Sequence, residues 1–119
     1  MSAHPIRLRG FWQPSPTPDG GVRFCRKFGR PRLTDPRERV WLICEDCPES
    51  AVLSLNGTVI GRVTAAQRLA VEVTKTLAER NELCLTFAPL CGETLLLTEP
   101  GQNPGQILLE IYPPGESPG

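Results

Sequence analysis

The feature that most constrains the fold is a two-residue period of apolar side chains, which recurs along the sequence. Apolar residues alternate with more polar ones in residues 69–74, 82–87 and 107–112. Successive side chains of a β-strand point to opposite faces, so this alternation predicts strands with one face on a core. No long segment has the 3.6-residue period of an amphipathic helix. The pattern therefore predicts an all-β protein.

Two further segments are apolar but depart from strict alternation. Residues 40–44 are apolar throughout, which is typical of a central strand covered on both faces and places Trp41 in the core. In residues 22–28, Arg26 interrupts an otherwise apolar face. Either a bulge shifts the register there, or Arg26 points inward, toward a carboxylate or the rim of the sandwich.

Turn residues separate the predicted strands. Asn56-Gly57 lies between two apolar segments, and both residues tolerate the positive φ that a two-residue hairpin turn requires. Residues 13–21 (QPSPTPDGG) contain three prolines, which lack the N–H that a central strand needs. We therefore predict a hairpin at Asn56-Gly57 and a proline-rich loop at residues 13–21.

These signals define a single domain of short strands. We predict eight or nine strands, at about residues 6–12, 22–29, 39–45, 51–56, 58–63, 69–73, 82–88, 93–98 and 106–112. One short helical turn is predicted at residues 74–80, with a capping box at Thr76 and Glu79 and a left-handed end at Asn81. Many short strands with frequent turns are typical of an antiparallel β-sandwich. We place one such domain at residues 1–112 and a flexible C-terminal tail at residues 113–119.

The charges balance over the whole chain but not along it. Residues 1–39 carry nine Lys or Arg and three Asp or Glu, whereas residues 40–119 carry four and ten. A basic segment attracts phosphates and other anions. We favour the simpler interpretation that the two parts pair within one fold, because no five or six like charges occur in succession. Nucleic acid is therefore not expected as a partner.

The cellular setting is predicted from two absences. The sequence has no apolar run of the roughly 18 residues that span a bilayer, and its first residues lack the apolar core of a signal peptide. We therefore expect a cytoplasmic protein with no membrane segment. Thiols stay reduced in that compartment, so a disulfide scaffold is not expected.

The sequence contains five cysteines. Cys44 and Cys47 form a C-x-x-C motif, but Cys84 and Cys91 are too far apart in sequence for a usual second pair of zinc ligands. The two acidic residues inside the C-x-x-C motif oppose the thiolate that a redox site needs. We predict free, mostly buried thiols. A metal or redox role of Cys44 and Cys47 stays open.

The middle of the chain contains three ordered blocks of residues. They are Leu55-Asn56-Gly57 with Ile60-Gly61, Glu72-Val73-Thr74 with Leu77, and Asn81-Glu82-Leu83-Cys84-Leu85. These blocks are similar to the V-x-L-N-G-x-x-(L/I)-G, D-I-T-x-x-L and N-x-L-x-V pattern of galactose-binding-domain-like jelly rolls. The chain resembles especially the N-terminal sugar-binding domain of family 2 glycoside hydrolases, such as β-galactosidases and β-glucuronidases.

The resemblance implies a jelly-roll β-sandwich with a binding or packing role. It does not imply hydrolysis, because the catalytic acids of those hydrolases lie on another domain that we expect this protein to lack. Between Gly61 and Glu72 the chain also lacks the histidine and the glycine–aromatic stretch common in that family. His4, the one histidine, lies at the terminus. We predict a protein that is not an enzyme, with no catalytic residues, cofactor or metal.

Four residues are candidates for ligand binding: Trp12, Arg26, Arg30 and Arg32. Trp12 precedes the proline-rich loop, where it could stack on a sugar ring or fill a partner's pocket, or else cover an open end of the sandwich. The arginines can donate hydrogen bonds to hydroxyls, carboxylates or phosphates.

The leading function is a non-catalytic binding module, with carbohydrate as the ligand class that the resemblance implies. The alternative is a structural or protein–protein interaction β-sandwich with no sugar site. A weaker third interpretation is an anion or nucleic-acid binder that uses the N-terminal arginines. The oligomeric state is not predicted.

Overall fold

The chain forms nine β-strands within the residues that the computed structural model describes, which are 4–47, 49–65, 67–88 and 104–118. The strands are β1 (His4–Arg7), β2 (Gln13–Pro16), β3 (Val22–Gly29), β4 (Arg39–Glu45), β5 (Ala51–Leu55), β6 (Thr58–Val63), β7 (Leu69–Glu72), β8 (Arg80–Phe87) and β9 (Gln106–Tyr112). No helix occurs in these described ranges, so none there is long and apolar enough to cross a membrane.

The strands form two antiparallel sheets. One sheet has four strands in the order β1-β9-β4-β7, and the other has five in the order β2-β3-β8-β5-β6. Every paired neighbour runs antiparallel. The chain passes between the sheets repeatedly, so strands distant in sequence become neighbours, as in β3 and β8 or β4 and β9. The predicted all-β antiparallel sandwich is confirmed.

One apolar cluster lies between the sheets and contains the alternating residues of the sequence. Leu83, Leu85 and Phe87 of β8 point into it, as do Leu109 and Ile111 of β9. Burial of these side chains supplies the main free energy that holds the sheets together. The rings of Phe24 and Phe87 also pack edge to face, with centroids 6.1 Å apart. The two-residue period thus identified the core correctly.

The secondary structure of residues 4–21 differs from the prediction. The strand expected at residues 6–12 ends at Arg7, because Gly10 and Phe11 adopt positive φ and turn the chain out of the sheet. The loop expected at residues 13–21 is shorter, since Gln13–Pro16 forms β2. β2 pairs only with β3 and lies at the sheet edge, where proline is tolerated. The strand predicted at residues 93–98 lies outside the described residues.

The Asn56-Gly57 hairpin is confirmed. Asn56 has φ 53° and Gly57 has φ 85°, the conformation of a type I′ turn. The Asn56 side chain also reaches the neighbouring strand, because its Oδ1 accepts a hydrogen bond from the Glu82 N–H at 2.9 Å. The turn therefore sets the pairing of β5 and β6 next to it, up to the bulge between Leu53 and Ser54 that shifts the register, and it attaches the hairpin to β8.

The connection before β8 is a single turn and not the helical turn predicted at residues 74–80. The N–H groups of Thr76 and Leu77 both donate to the carbonyl of Val73, and the chain then reaches β8 at Arg80 without forming a helix. Asn81 is not the left-handed end either; its φ is negative and it lies within β8. Its buried side chain closes the connection, since Oδ1 accepts from the Ala78 N–H and Nδ2 donates to the Ala78 carbonyl.

Replacement of Asn81 by alanine should destabilise the protein by about 2 kcal/mol. Asn81 is 3% exposed and is the one buried polar residue among those described. Its loss removes both bonds to Ala78 and the partner of the Asn56 amide. Urea denaturation of the wild type and the variant measures the difference in the free energy of unfolding. Lys75→Ala, at an exposed position of the same connection, is the control and should cost under about 0.5 kcal/mol. An equal loss in the free energy of unfolding for both variants would contradict the role of the Asn81 side chain in closing this connection.

Candidate functional site

The segment between β1 and β2 closes one end of the sandwich with a buried tryptophan. Trp12 is fully buried in the core cluster, and its Nε1 donates a hydrogen bond to the carbonyl of Leu8 at 3.0 Å. The prediction that Trp12 offers its ring to a ligand is therefore wrong, because no face of the ring reaches the surface. The alternative prediction, a ring that covers an end of the sandwich, describes its position.

The residue beside Trp12 has the exposed aromatic ring. Phe11 is 77% exposed, the highest value among the large apolar residues described. It has φ 61° and follows Gly10 at φ 67°. Positive φ is unusual for a residue with a bulky side chain and costs about 1–2 kcal/mol. The surrounding structure must therefore hold Phe11 in this conformation, and such local strain is common at functional sites.

Arg26 holds the Phe11 segment in place. Its Nε donates to the carbonyl of Gly10 at 2.9 Å and its Nη2 to that of Arg9 at 3.3 Å. Its guanidinium also lies over the Phe11 ring, 5.7 Å from the ring centroid. Partial burial lowers the pKa of Arg26, but a guanidinium stays charged at neutral pH. Arg26 thus joins the loop backbone and the exposed ring in one unit.

The sequence predicted either a bulge at Arg26 or an Arg26 side chain that points inward, and the structure shows the inward orientation. The β3–β8 register runs without a shift from Val22 opposite Phe87 to Gly29 opposite Arg80, so no bulge occurs there. Arg26 points to the core side at the rim of the sandwich, as one of the two predictions stated. Its partners are main-chain carbonyls and the Phe11 ring, and no carboxylate of the described residues contacts it.

A concavity of about 340 Å³ adjoins the Phe11 loop. Arg7 and Arg9 line one side of it, and Gln106 and neighbouring residues of β9 line the other. Arg9 is two residues before Phe11 in the chain, so the lining of the concavity extends to the segment that carries the exposed ring. None of the described residues that line it carries a carboxylate. The site is therefore basic and rich in hydrogen-bond donors.

The other two predicted ligand residues lie elsewhere in the chain. Arg30 and Arg32 are exposed on the connection from β3 to β4. The Arg30 main-chain N–H donates to the carbonyl of Glu79. No hydrogen bond within the described part of the chain joins either arginine to Arg26. A role of Arg30 and Arg32 in ligand binding stays a prediction.

Sequence reasoning missed Phe11, Arg7 and Arg9. The Phe11-Trp12 pair indicates that one ring points inward and the other outward, but does not indicate which. The choice depends on the positive φ of Gly10 and Phe11, which no local pattern predicts. Gly10 was the available signal, because glycine favours a reversal of the chain.

The cysteines are only partly as predicted. Cys25 and Cys84 form a disulfide, which corrects the expectation that all thiols are free. The two residues are opposite each other in the β3–β8 register, which brings the sulfurs within bonding reach. Cys44 and Cys47 are free and buried, as predicted. Their hydrogen bond raises the pKa of Cys44 and lowers that of Cys47. Cys91 lies outside the described residues.

Trp41 occupies the outer face of the four-stranded sheet and not the core. It is half-buried between Glu72 and Glu110, its partners on the two flanking strands. Its side chain points outward because Val40 and Leu42, on either side of it, fill the core. The side chain of Trp41 therefore lies on the outer face of the sheet, whereas the sequence predicted a position in the core.

The ion pairs do not cancel the basic N-terminal part of the chain. Among the described residues, Arg39–Glu72 at 3.7 Å is the one ion pair that joins residues 1–39 to the acidic remainder. The other ion pairs lie within one part, as in Arg68–Glu45. Apart from the Arg37–Asp35 pair, no other arginine of residues 1–39 forms an ion pair with a described residue.

Comparison with known proteins gives similarity of fold alone. No family model and no curated protein matches the chain. Its fold is similar to a segment of a β-glucuronidase from an uncultured Clostridium sp., with a TM-score of 0.71, 18% identity and coverage of 94% of this chain and 29% of that chain. The Bifidobacterium dentium β-glucuronidase has a TM-score of 0.71 and 13% identity, and the match covers 94% of this chain and 30% of that chain. The Faecalibacterium prausnitzii β-glucuronidase has a TM-score of 0.68 and 15% identity, and the match covers 94% of this chain and 32% of that chain.

These similarities confirm the fold that the sequence resemblance implied. The chain has an antiparallel β fold similar to that of one segment of each of these β-glucuronidases. It spans 29–32% of the length of the three enzymes compared, so it corresponds to a small part of each. At 13–18% sequence identity, the similarity of fold does not assign a ligand or an activity to this chain.

The strain at Phe11 can be measured by comparing two substitutions at the same position. Both Phe11→Gly and Phe11→Ala remove the ring, but only glycine adopts φ 61° freely. We expect the glycine variant to be more stable than the alanine variant by about 1 kcal/mol in urea denaturation. The same pair of substitutions at Gln13, an exposed strand residue nearby, should show the opposite order. If alanine were the more stable replacement at both positions, Phe11 would not be strained.

Proposed function

We propose that this protein is a non-catalytic module that binds carbohydrate at the Phe11 loop and the adjoining basic concavity. The observation that carries the proposal is the exposed Phe11 ring, which Arg26 and the buried Trp12 hold in a strained conformation. A rigid ring binds a ligand at a lower entropic cost than a mobile one, because less freedom is lost on binding.

An aromatic ring beside hydrogen-bond donors suits the chemistry of a sugar. The C–H groups of a pyranose form an apolar face that can cover an aromatic ring, and the hydroxyls around it need donors and acceptors. Arg7, Arg9 and Gln106 supply such groups in the concavity, and Arg9 is two residues from Phe11 in the chain. The concavity, at about 340 Å³, falls at the lower end of the roughly 300–1,000 Å³ typical of small-molecule sites.

The charge of the site favours sugars that carry a carboxylate. Arg7 and Arg9 line the concavity, and an arginine can donate two parallel hydrogen bonds to a carboxylate. We therefore infer that uronic acids bind more tightly than the corresponding neutral sugars. The similar enzymes include β-glucuronidases by name, which supports this class of ligand for the chain.

The lining of the concavity supports a role in binding without catalysis. The described residues of the concavity include neither a carboxylate nor a histidine, the usual general acids and bases.

Titration calorimetry with a panel of neutral sugars and uronic acids tests the proposal. We expect saturable binding that is tighter for the uronic acid than for the neutral sugar at low salt. Phe11→Ala should weaken binding about fivefold, because a ring contact is worth about 1 kcal/mol. Arg9→Gln should remove the preference for the charged sugar.

Val59→Ala is the matched control, because Val59 is an exposed apolar residue, at 64%, in the distant strand β6. It should bind like the wild type. Absence of saturable binding to any sugar would contradict the proposal, as would a Phe11→Ala variant that binds like the wild type. Binding of sulfate or an oligonucleotide without sugar binding would favour the anion-binding alternative.

A protein contact is the second candidate function, and Trp41 favours it. This side chain is half-buried on the outer face of the four-stranded sheet, so part of its ring is exposed to solvent. A partner that covers this face would bury the exposed part of the ring. Light scattering over a range of concentrations would detect self-association, and its loss in a Trp41→Ala variant would favour this function over sugar binding.

A further inference from the structure

The outer face of the five-stranded sheet carries two cysteines directly opposite each other. Cys25 of β3 pairs with Cys84 of β8, and their Cα atoms are 4.1 Å apart. Both side chains point away from the core, because Phe24 and Leu85, their neighbours in the chain, point into it. Cys25 is half-buried, so a small reductant can reach the disulfide from solvent.

A carboxylate completes this group. Glu82 precedes Cys84 by two residues on β8, so the two side chains share the outer face. Its carboxylate oxygen and the two sulfurs all lie within 4.8 Å of one another. Glu82 and Cys84 also line an open concavity of about 510 Å³ on this face. A bound ion would thus have space above it for a water ligand.

Reduction of the disulfide changes the chemistry of this group. A thiol reductant transfers two electrons to the S–S bond; the bond breaks, two protons are taken up, and the reductant becomes a disulfide. Two thiols and a carboxylate then face one another on one strand pair. Thiolates with a carboxylate are ligands that Zn²⁺ accepts.

The spacing of the two strands suits a tetrahedral ion. Zn–S bonds of about 2.3 Å place two sulfurs about 3.8 Å apart, so the sulfurs must separate when the disulfide opens. The Cα atoms of the two cysteines are 4.1 Å apart, and rotation of the two side chains about their Cα–Cβ bonds can separate the sulfurs.

The sheet should persist without the covalent bond. β3 and β8 pair over eight residues on each strand, and both pack into the apolar core on their other face.

Two basic residues of β3 also lie on this outer face. They are Lys27, opposite Glu82, and Arg23, two residues before Cys25. The Nε of Arg23 donates to the Thr86 hydroxyl.

We propose that reduction of the Cys25–Cys84 disulfide creates a zinc-binding site from Cys25, Cys84 and Glu82, with water as the fourth ligand. Binding of Zn²⁺ releases the two thiol protons as two Zn–S bonds form. The oxidised protein cannot bind the ion there, because neither sulfur is a thiolate. Metal binding at this face is thereby controlled by the redox state.

Cobalt titration of the whole chain tests the proposal, because Co²⁺ bound by thiolate absorbs in the near ultraviolet. Protein reduced with a phosphine under nitrogen should bind one Co²⁺ with this absorption, and Zn²⁺ should displace it. The oxidised protein should show no such band. Cys25→Ser should abolish binding, and Glu82→Gln should raise the dissociation constant at least tenfold.

The second pair of thiols provides the matched control. Cys44→Ala/Cys47→Ala removes the buried C-x-x-C pair, and this variant should bind Co²⁺ like the wild type. Loss of the band in this control would overturn the proposal, as would its persistence in Cys25→Ser. Circular dichroism in the same cuvette reports folding, and a reduced wild type that is unfolded or binds no Co²⁺ would also overturn it.

Discussion

Burial of the inward faces of the two sheets against each other is the interaction on which the rest of the structure depends. Each strand commits every second side chain to the core, as with Phe24 on β3, Leu85 on β8 and Leu109 on β9. The side chains between them must point outward. The surface chemistry of both sheets therefore follows from the core, because a residue's face is decided by its neighbours in the chain.

The open ends of the sandwich create a second constraint. Side chains that belong to neither sheet must cover the core there, and at one end Trp12 has this role. The chain can insert Trp12 only by reversing at Gly10 and Phe11, which leaves the Phe11 ring in solvent. Arg26, on the core side of β3, holds the reversal through main-chain carbonyls. Stability and the proposed ligand site thus share the same few residues.

Several elements could be predicted from local residues because the relevant physics is local. Alternation identified the strands and their core faces, and Asn56-Gly57 identified a hairpin, since its positive φ values are a property of those residue types. The proline-rich segment was harder to predict. Proline excludes a central strand but not an edge strand, and a sequence does not show which strand lies at an edge.

The sequence by itself determined the strands, the apolar face of each strand, the hairpin turn and the resemblance to a sugar-binding β-sandwich, because these depend on residue type and spacing. Only the tertiary structure decided which of two adjacent rings is buried, that Arg26 reaches the carbonyls of the Phe11 loop, and that Cys25 meets Cys84. These outcomes depend on which strands become neighbours. Strand pairing across 59 residues of sequence separation is selected by packing of the whole core, and no local pattern encodes it.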